Sequence, residues 1–272
     1  MPAAERARAI ARLLSGVPVG TVVGLLGSAW LVVGYGWPAT FYVFGGVGLL
    51  WTSYWFHDIE NDPASDARVD AAQCALLAAA PGGDATRTRV EGSHRWMLRA
   101  SVVAIVIGQF ATMWDLYVLL SWLPSYFRDV QKLSIASAGM FSAAPWIAMF
   151  ITMNVAAWLP DVMIARGVST TFERRLMQCS GLAACAAFLL LTRLSHSPAS
   201  ALGLLCAATG ALGCTWCGYS PAILDVAPRR SALLVGLSNS IGTVPGIIGV
   251  AVTGCWWISP GRTRPPSRWP PR

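Results

Sequence analysis

Charge is what this sequence has least of. Only 12% of its 272 residues are charged, whereas 55% are hydrophobic. A soluble domain carries about a quarter charged residues, so a soluble protein this poor in charge could not cover its own surface. An ordinary cytosolic enzyme, a disordered chain and a collagen-like chain are all excluded. Lysine is nearly missing: Lys132 stands alone beside 19 arginines. Those arginines lie between apolar segments and form no single patch, so the net charge of +7 is not a nucleic-acid footprint. His57, His94 and His196 are isolated, with no HExxH pattern and no cysteine partner. No P-loop or GxSxG elbow occurs, so nothing here supports ATP hydrolysis, an enzymatic site, a cofactor or a metal centre. The seven cysteines are odd in number and scattered, and read as small buried residues. Cys214 and Cys217 have redox-motif spacing, but they sit inside an apolar helix and not after a strand.

Long apolar runs are what the sequence does have. A membrane-spanning helix needs about 20 mostly apolar residues. Seven segments meet or approach this: 13–34, 37–56, 98–123, 139–159, 176–191, 199–224 and 233–257. They are too long and continuous for strands, and backbone groups in lipid must be satisfied within the segment, so all seven are expected to be helices. Basic residues orient them. With the N-terminus on the cytoplasmic side, the inner loops hold 13 of the 20 arginines and lysines, and the outer loops hold Arg128, Lys132 and Arg193. The remaining four lie in the C-terminal tail, on the opposite side from that bias. No cleavable signal peptide is expected, and the first residues, MPAAERARAIAR, read as a cytoplasmic loop feeding the first span and not as a transit peptide.

The first and last spans carry a repeat. Residues 20–30 read GTVVGLLGSAW and residues 242–252 read GTVPGIIGVAV, identical at six positions at an offset of 222. Gly20 matches Gly242, Gly24 matches Gly246, and Arg8 upstream matches Arg230. The matching spans are six apart, as in a six-helix unit repeated in parallel, which is the plan of one large class of secondary transporters. The glycines let helix backbones approach closely. The acid-rich stretch 57–97 fits as a cytoplasmic loop between two such halves. The expected domains are therefore 1–56, the last two spans of a first half; 57–97, the loop; 98–254, five spans of a second half; and 255–272, a disordered and non-native tail. Four spans are expected ahead of residue 1 and one after residue 257. The tail has five prolines and four arginines in 260–272, which block a further span.

Several stretches together carry a family likeness: PAAERARA (2–9), GWPATFYVFGGVGLLW (36–51), LYVLLSWLPSYF (116–127), GMFSAAPWIAMF (139–150), DVMIARGVSTTFERRLMQ (161–178) and LDVAPRRSALLVGLSNSIGTVPGIIGVAVTG (224–254). The chain resembles the major facilitator superfamily, and within it the anion:cation symporters. These include sodium–phosphate cotransporters, sialin, vesicular glutamate transporters and plastid phosphate/anion transporters. The resemblance implies an all-α membrane protein whose seven helices are the fifth to eleventh of a twelve-helix fold. It implies sodium- or proton-linked transport of a small anionic solute, phosphate foremost, across a lipid bilayer, in a plastid envelope or thylakoid membrane. Thr112 stands where the glutamate branch has an anion-binding arginine, and Ala222-Ile223 stand where the family often has Asn-His.

Asp115 is the only formally charged residue well inside a span, and intramembrane acids point to function. Helical spacing places Gly108, Thr112, Asp115 and Trp122 near one face, a stripe suited to a proton or cation path or to a carboxyl bonded between helices. Gln109, Asn154, Tyr219, Ser238 and Asn239 offer donors for an anion or for neighbouring helices, and Trp114 and Tyr117 flank Asp115. Asp161, Arg166, Glu173, Arg174 and Arg175 lie in an expected inner loop, where the resemblance implies gating ion pairs. Asp225 with Arg229 and Arg230 invites the same reading. Two hypotheses stand: a truncated anion transporter, or a non-transporting membrane fragment or interaction protein.

Overall fold

The computed structural model describes residues 3–60, 68, 70–72, 74, 75, 97–227 and 230–258. Among them no strand occurs. The helices are α1 (Ala3–Leu14), α2 (Gly16–Tyr35), α3 (Trp37–Asp58), α4 (Ala100–Ser125), α5 (Ile135–Ala156), α6 (Trp158–Ala165), α7 (Thr170–Leu191), α8 (Pro198–Val226) and α9 (Ser231–Ile258). Most of the expected loop 57–97, Arg229, and residues 259–272 of the expected tail lie outside the described residues.

Among the described residues, six helical stretches are long and apolar enough to cross a membrane: Ile10–Tyr35, Ala100–Val130, Ile135–Ala165, Thr170–Leu194, Pro198–Val226 and Ser231–Trp256. The seventh expected span is α3. Its 22 residues give the length, but Pro38, Thr40, Thr52 and Ser53 dilute its apolar character. Thr52 and Ser53 donate to their own helix, to the Gly48 and Leu49 carbonyls at 2.9 and 3.0 Å, and so need no outside partner. One residue joins α2 to α3. Gly36 has φ +84°, a conformation that side chains disfavour.

The boundaries correct the sequence reading in three places. The fifth span is not short, because α7 begins at Thr170, where the Ser169 hydroxyl accepts the Phe172 amide at 3.4 Å. The expected loop before it contains α6. The last helix runs on to Ile258, so residues 255–258 of the expected tail are helical. A fourth feature is the end of the third span. Pro124 interrupts the amide ladder of α4, and a wider turn at Tyr126–Val130 follows.

Helix α8 is the hub, packed against α5 on one side and α7 on another. Trp146, Met149 and Met153 of α5 and Ala208, Leu212 and Cys217 of α8 are essentially inaccessible. Close approach depends on glycine. A Cβ at Gly213 would lie 3.0 Å from the Met149 carbonyl oxygen, and one at Gly218 would lie 2.9 Å from the Arg174 carbonyl oxygen. The Cys214 and Cys217 thiols donate to the carbonyls of Gly210 and Met153. That is packing chemistry, and no disulfide forms among the seven cysteines. Helices α1 and α2 join this bundle along one seam. There α2 lies on α5, and α1 reaches α6 and α8.

Candidate functional site

The inward face of α4 carries a polar ladder. Gln178 of α7 donates through Nε2 to the Gly108 carbonyl at 3.1 Å and to the Thr112 hydroxyl at 3.2 Å. Thr112 is fully buried and lies 3.4 Å from the Thr215 hydroxyl of α8. One helical turn further, the buried Cys185 of α7 lies beside the half-buried Asp115. The expected stripe of Gly108, Thr112 and Asp115 is thus one face, and it meets α7 and α8. Trp122 departs from it and packs where a Cβ of Gly254 would be, at 3.1 Å. Sequence reasoning missed Gln178 and Thr215. Gln178 carried the same signal as Gln109, an amide inside an apolar span, but it lay in a segment read mainly for its loop charges.

The opposite side of α4 faces α9. Gln109 donates through Nε2 to the side-chain Oδ1 of Asn239 at 2.7 Å, joining two residues singled out from sequence. Tyr117 and Trp114 lie against Gly246 and Gly249, at 3.3 and 3.4 Å from their would-be Cβ positions. These two aromatics are therefore walls of the α4–α9 contact. Ser238 is buried and donates to its own helix at Leu234. Asn154 likewise donates only to its own helix, to Phe150 at 2.9 Å, so no described residue links it to the ladder. Intramembrane hydrogen bonds are individually modest, so Gln109→Leu and Asn239→Leu should each destabilise slightly. A double-mutant cycle of unfolding in detergent micelles should give a coupling of about 0.6 kcal/mol, at most about 1.7 kcal/mol. A coupling of zero removes the pair as a fastener.

Two charge clusters sit at helix ends. In the first, Arg8 of α1 binds Asp161 of α6, and its guanidinium carbon lies 4.9 Å from the Trp158 ring centroid. In the second, Arg174 serves two carboxylates and a carbonyl. Its Nη1 is 2.8 Å from Glu173 and 3.4 Å from the Cys217 carbonyl, and its Nε is 3.4 Å from Asp225. Glu173 has no accessible surface and Arg174 has 6%. The Glu173 contact is between helix neighbours at an angle too oblique for a hydrogen bond, so it is an ion contact only. Arg166 is exposed past the end of α6 and makes no ion pair among the described residues. The expected solvated loop is therefore corrected. Glu173 and Arg174 are interior groups of the first turn of α7.

A cavity of about 480 Å³ opens between α4, α7 and α8. Arg174, Arg175 and Asp225 line it, together with Gly108, Gln178 and Tyr219. It leads from the second charge cluster to the foot of the polar ladder. Tyr219 is buried and stacks at a tilt on Trp216, with centroids 5.9 Å apart. The arrangement supplies neutral donors at depth and balanced charge at one end of the cavity.

Comparisons with known proteins agree with this architecture. A family model described as Major Facilitator Superfamily matches residues 1–250. Sodium-dependent phosphate transport protein 1, chloroplastic, of Arabidopsis thaliana is 34% identical over 259 residues, covering 93% of this chain and 49% of that protein. Ascorbate transporter, chloroplastic, of the same plant is 33% identical over 259 residues, covering 93% and 47%. Vesicular glutamate transporter 3 of Danio rerio is 30% identical over 259 residues, covering 93% and 44%. The chain spans about half the length of the curated relatives it matches.

Proposed function

The chain belongs to the major facilitator superfamily, and from that premise we propose that it is part of a secondary active transporter for an inorganic or organic anion. Phosphate is the preferred substrate and sodium or protons the coupling ion, in a plastid membrane. One observation carries this reading. Nearly the whole chain aligns with relatives named for phosphate, ascorbate and glutamate transport, three anions at neutral pH. The donors on α4, α7, α8 and α9 fit such a cargo. Gln109, Thr112, Gln178, Tyr219 and Asn239 offer N–H and O–H groups without the cost of buried charge. Asp115 is the group for the coupling ion, and the clusters at Asp161 and at Arg174 with Asp225 are the gating contacts.

A second reading, a non-transporting membrane fragment or interaction protein, is favoured by Gln109, Thr112 and Asn239 finding hydrogen-bond partners within the bundle. Reconstitution separates the two. Vesicles are prepared with the 272-residue chain, alone and fused after four upstream spans, and loaded under a sodium or pH gradient. Gradient-driven accumulation of radiolabelled phosphate is expected with the fusion. No uptake of phosphate, ascorbate or glutamate, with normal insertion, selects the second reading. In an active preparation Asp115→Asn should alter the sodium or pH dependence of uptake more than it alters the amount of folded protein. The reverse pattern assigns Asp115 to helix packing with Cys185.

A further inference from the structure

Two helix N-termini meet at the cavity between α4, α7 and α8. Ala100 and Ser101, in the first turn of α4, line it, and so do Thr170 and Thr171, in the first turn of α7. Arg99 stands at the cap position of α4, but its side chain makes no cap bond. A helix N-terminus carries partial positive charge and amides in want of an acceptor, so two of them on one cavity favour an anion. The side chains add full charge. Arg174 lines the cavity and is 6% exposed. Its Nε and Nη1 serve the groups already described, whereas its Nη2 is buried with no hydrogen-bond partner. Arg175 lines the cavity beside it, is exposed, and makes no ion pair among the described residues. Asp225 is the only carboxylate lining the cavity among the described residues, and it already faces Arg174 Nε at 3.4 Å.

A buried guanidinium donor without an acceptor is costly, and an oxyanion in the cavity would relieve it. We propose that this cavity binds a phosphate group, held by the N-termini of α4 and α7 and by Arg174 and Arg175. A tetrahedral oxyanion presents acceptors in several directions, which suits donors arriving from two helix ends and two guanidiniums. The cavity, at about 480 Å³, falls within the range of about 300–1,000 Å³ usual for small-ligand sites. An apolar helix is the wrong occupant, because it would bury the Arg175 charge without a counter-ion. The phosphate comes either free or as the headgroup of an anionic lipid, and the recognising chemistry is the same. The inference goes beyond the transport reading and stands without it, since occupancy needs no gradient.

Cys179 serves as the reporter. Its exposed thiol lines the same cavity, whereas the exposed Cys255 lies on α9, outside it. The purified chain in an uncharged detergent is treated with N-ethylmaleimide, and alkylation of each cysteine is followed by mass spectrometry. One arm titrates inorganic phosphate, with potassium chloride holding the ionic strength constant. The other titrates phosphatidylglycerol against uncharged diacylglycerol. Alkylation of Cys179 should slow saturably in at least one arm while that of Cys255 does not. Slowing by inorganic phosphate alone identifies a free anion, slowing by phosphatidylglycerol alone a headgroup, and slowing by both a site open to either. Arg175→Gln should raise the half-saturating concentration about tenfold, the loss of one charge-assisted hydrogen bond. Arg166→Gln removes an equal charge from an exposed arginine outside the cavity and should leave that concentration unchanged. Both arginines are exposed, so the unfolding temperatures of the two variants should match the parent. Failure of both phosphate sources to protect Cys179 would overturn the inference. So would equal protection of Cys255, or equal effects of the two substitutions.

Discussion

Arg174→Met should be the most damaging single substitution in the second half, lowering stability by about 3–5 kcal/mol, the usual penalty for breaking a buried ion pair. The reason lies in how many groups one guanidinium serves. Glu173 is fully buried with Arg174 as its ion contact, while Asp225 and the Cys217 carbonyl share the same side chain. Methionine fills similar volume but leaves the Glu173 carboxylate in the interior with its cation removed. Adding Glu173→Leu should recover much of the loss, because a buried ion pair replaced as a whole by apolar residues is often neutral or better. Thermal unfolding in detergent micelles measures both variants. A loss below about 1 kcal/mol for the single variant, as for an exposed pair, would mean that water reaches Glu173.

Gly218→Leu should separate α7 from α8. Even the first carbon of a side chain would lie 2.9 Å from the Arg174 carbonyl oxygen and 3.0 Å from the Gln178 amide nitrogen. Both obstacles are backbone, and backbone cannot rotate aside. Overpacking in a close-packed interior costs about 1–3 kcal/mol, occasionally more, and here the whole helix must shift. Gly181, on the facing helix, gives an independent check. Its Cβ would lie 2.7 Å from the Thr215 methyl and 2.9 Å from the Ala211 carbonyl oxygen. Leucine at either site should lower folded yield and unfolding temperature sharply, whereas leucine at Gly203, with nothing within 4 Å, should not. Equal stability of all three variants would show that α7 and α8 do not depend on this close approach.

The spans were legible because length and apolarity are integrated properties of twenty residues, which one polar group does not disturb. Their ends were less so. Glu173 and Arg174 count as loop charges in any sliding sum, yet they cancel each other inside the protein, and α7 starts six residues earlier than apolarity suggests. Helix faces were readable from periodicity, which is why Gly108, Thr112 and Asp115 fall together. What each face meets was not readable, since partner helices are chosen by the whole bundle. Gln109 found Asn239, 130 residues away, whereas Asn154, of equal promise by sequence, bonds to its own helix. The close approaches at Gly181, Gly213 and Gly218 were overlooked for a related reason. They bear no repeat and are marked only by neighbours distant in the chain.

The seam between α1–α2 and α5–α6 is fastened differently at its two ends. At one end stand Arg8 with Asp161 and the Trp158 ring, a contact of charge and polar edge. At the other the Ala29 methyl is seated on Gly139, where a Cβ would lie 3.2 Å from it. Water can replace the partners of an ion pair, whereas a methyl lifted off a glycine leaves a void or lipid. The Arg8 end is therefore the one expected to part first, and because only Gly36 separates α2 from α3, a tilt of α2 carries α3 with it.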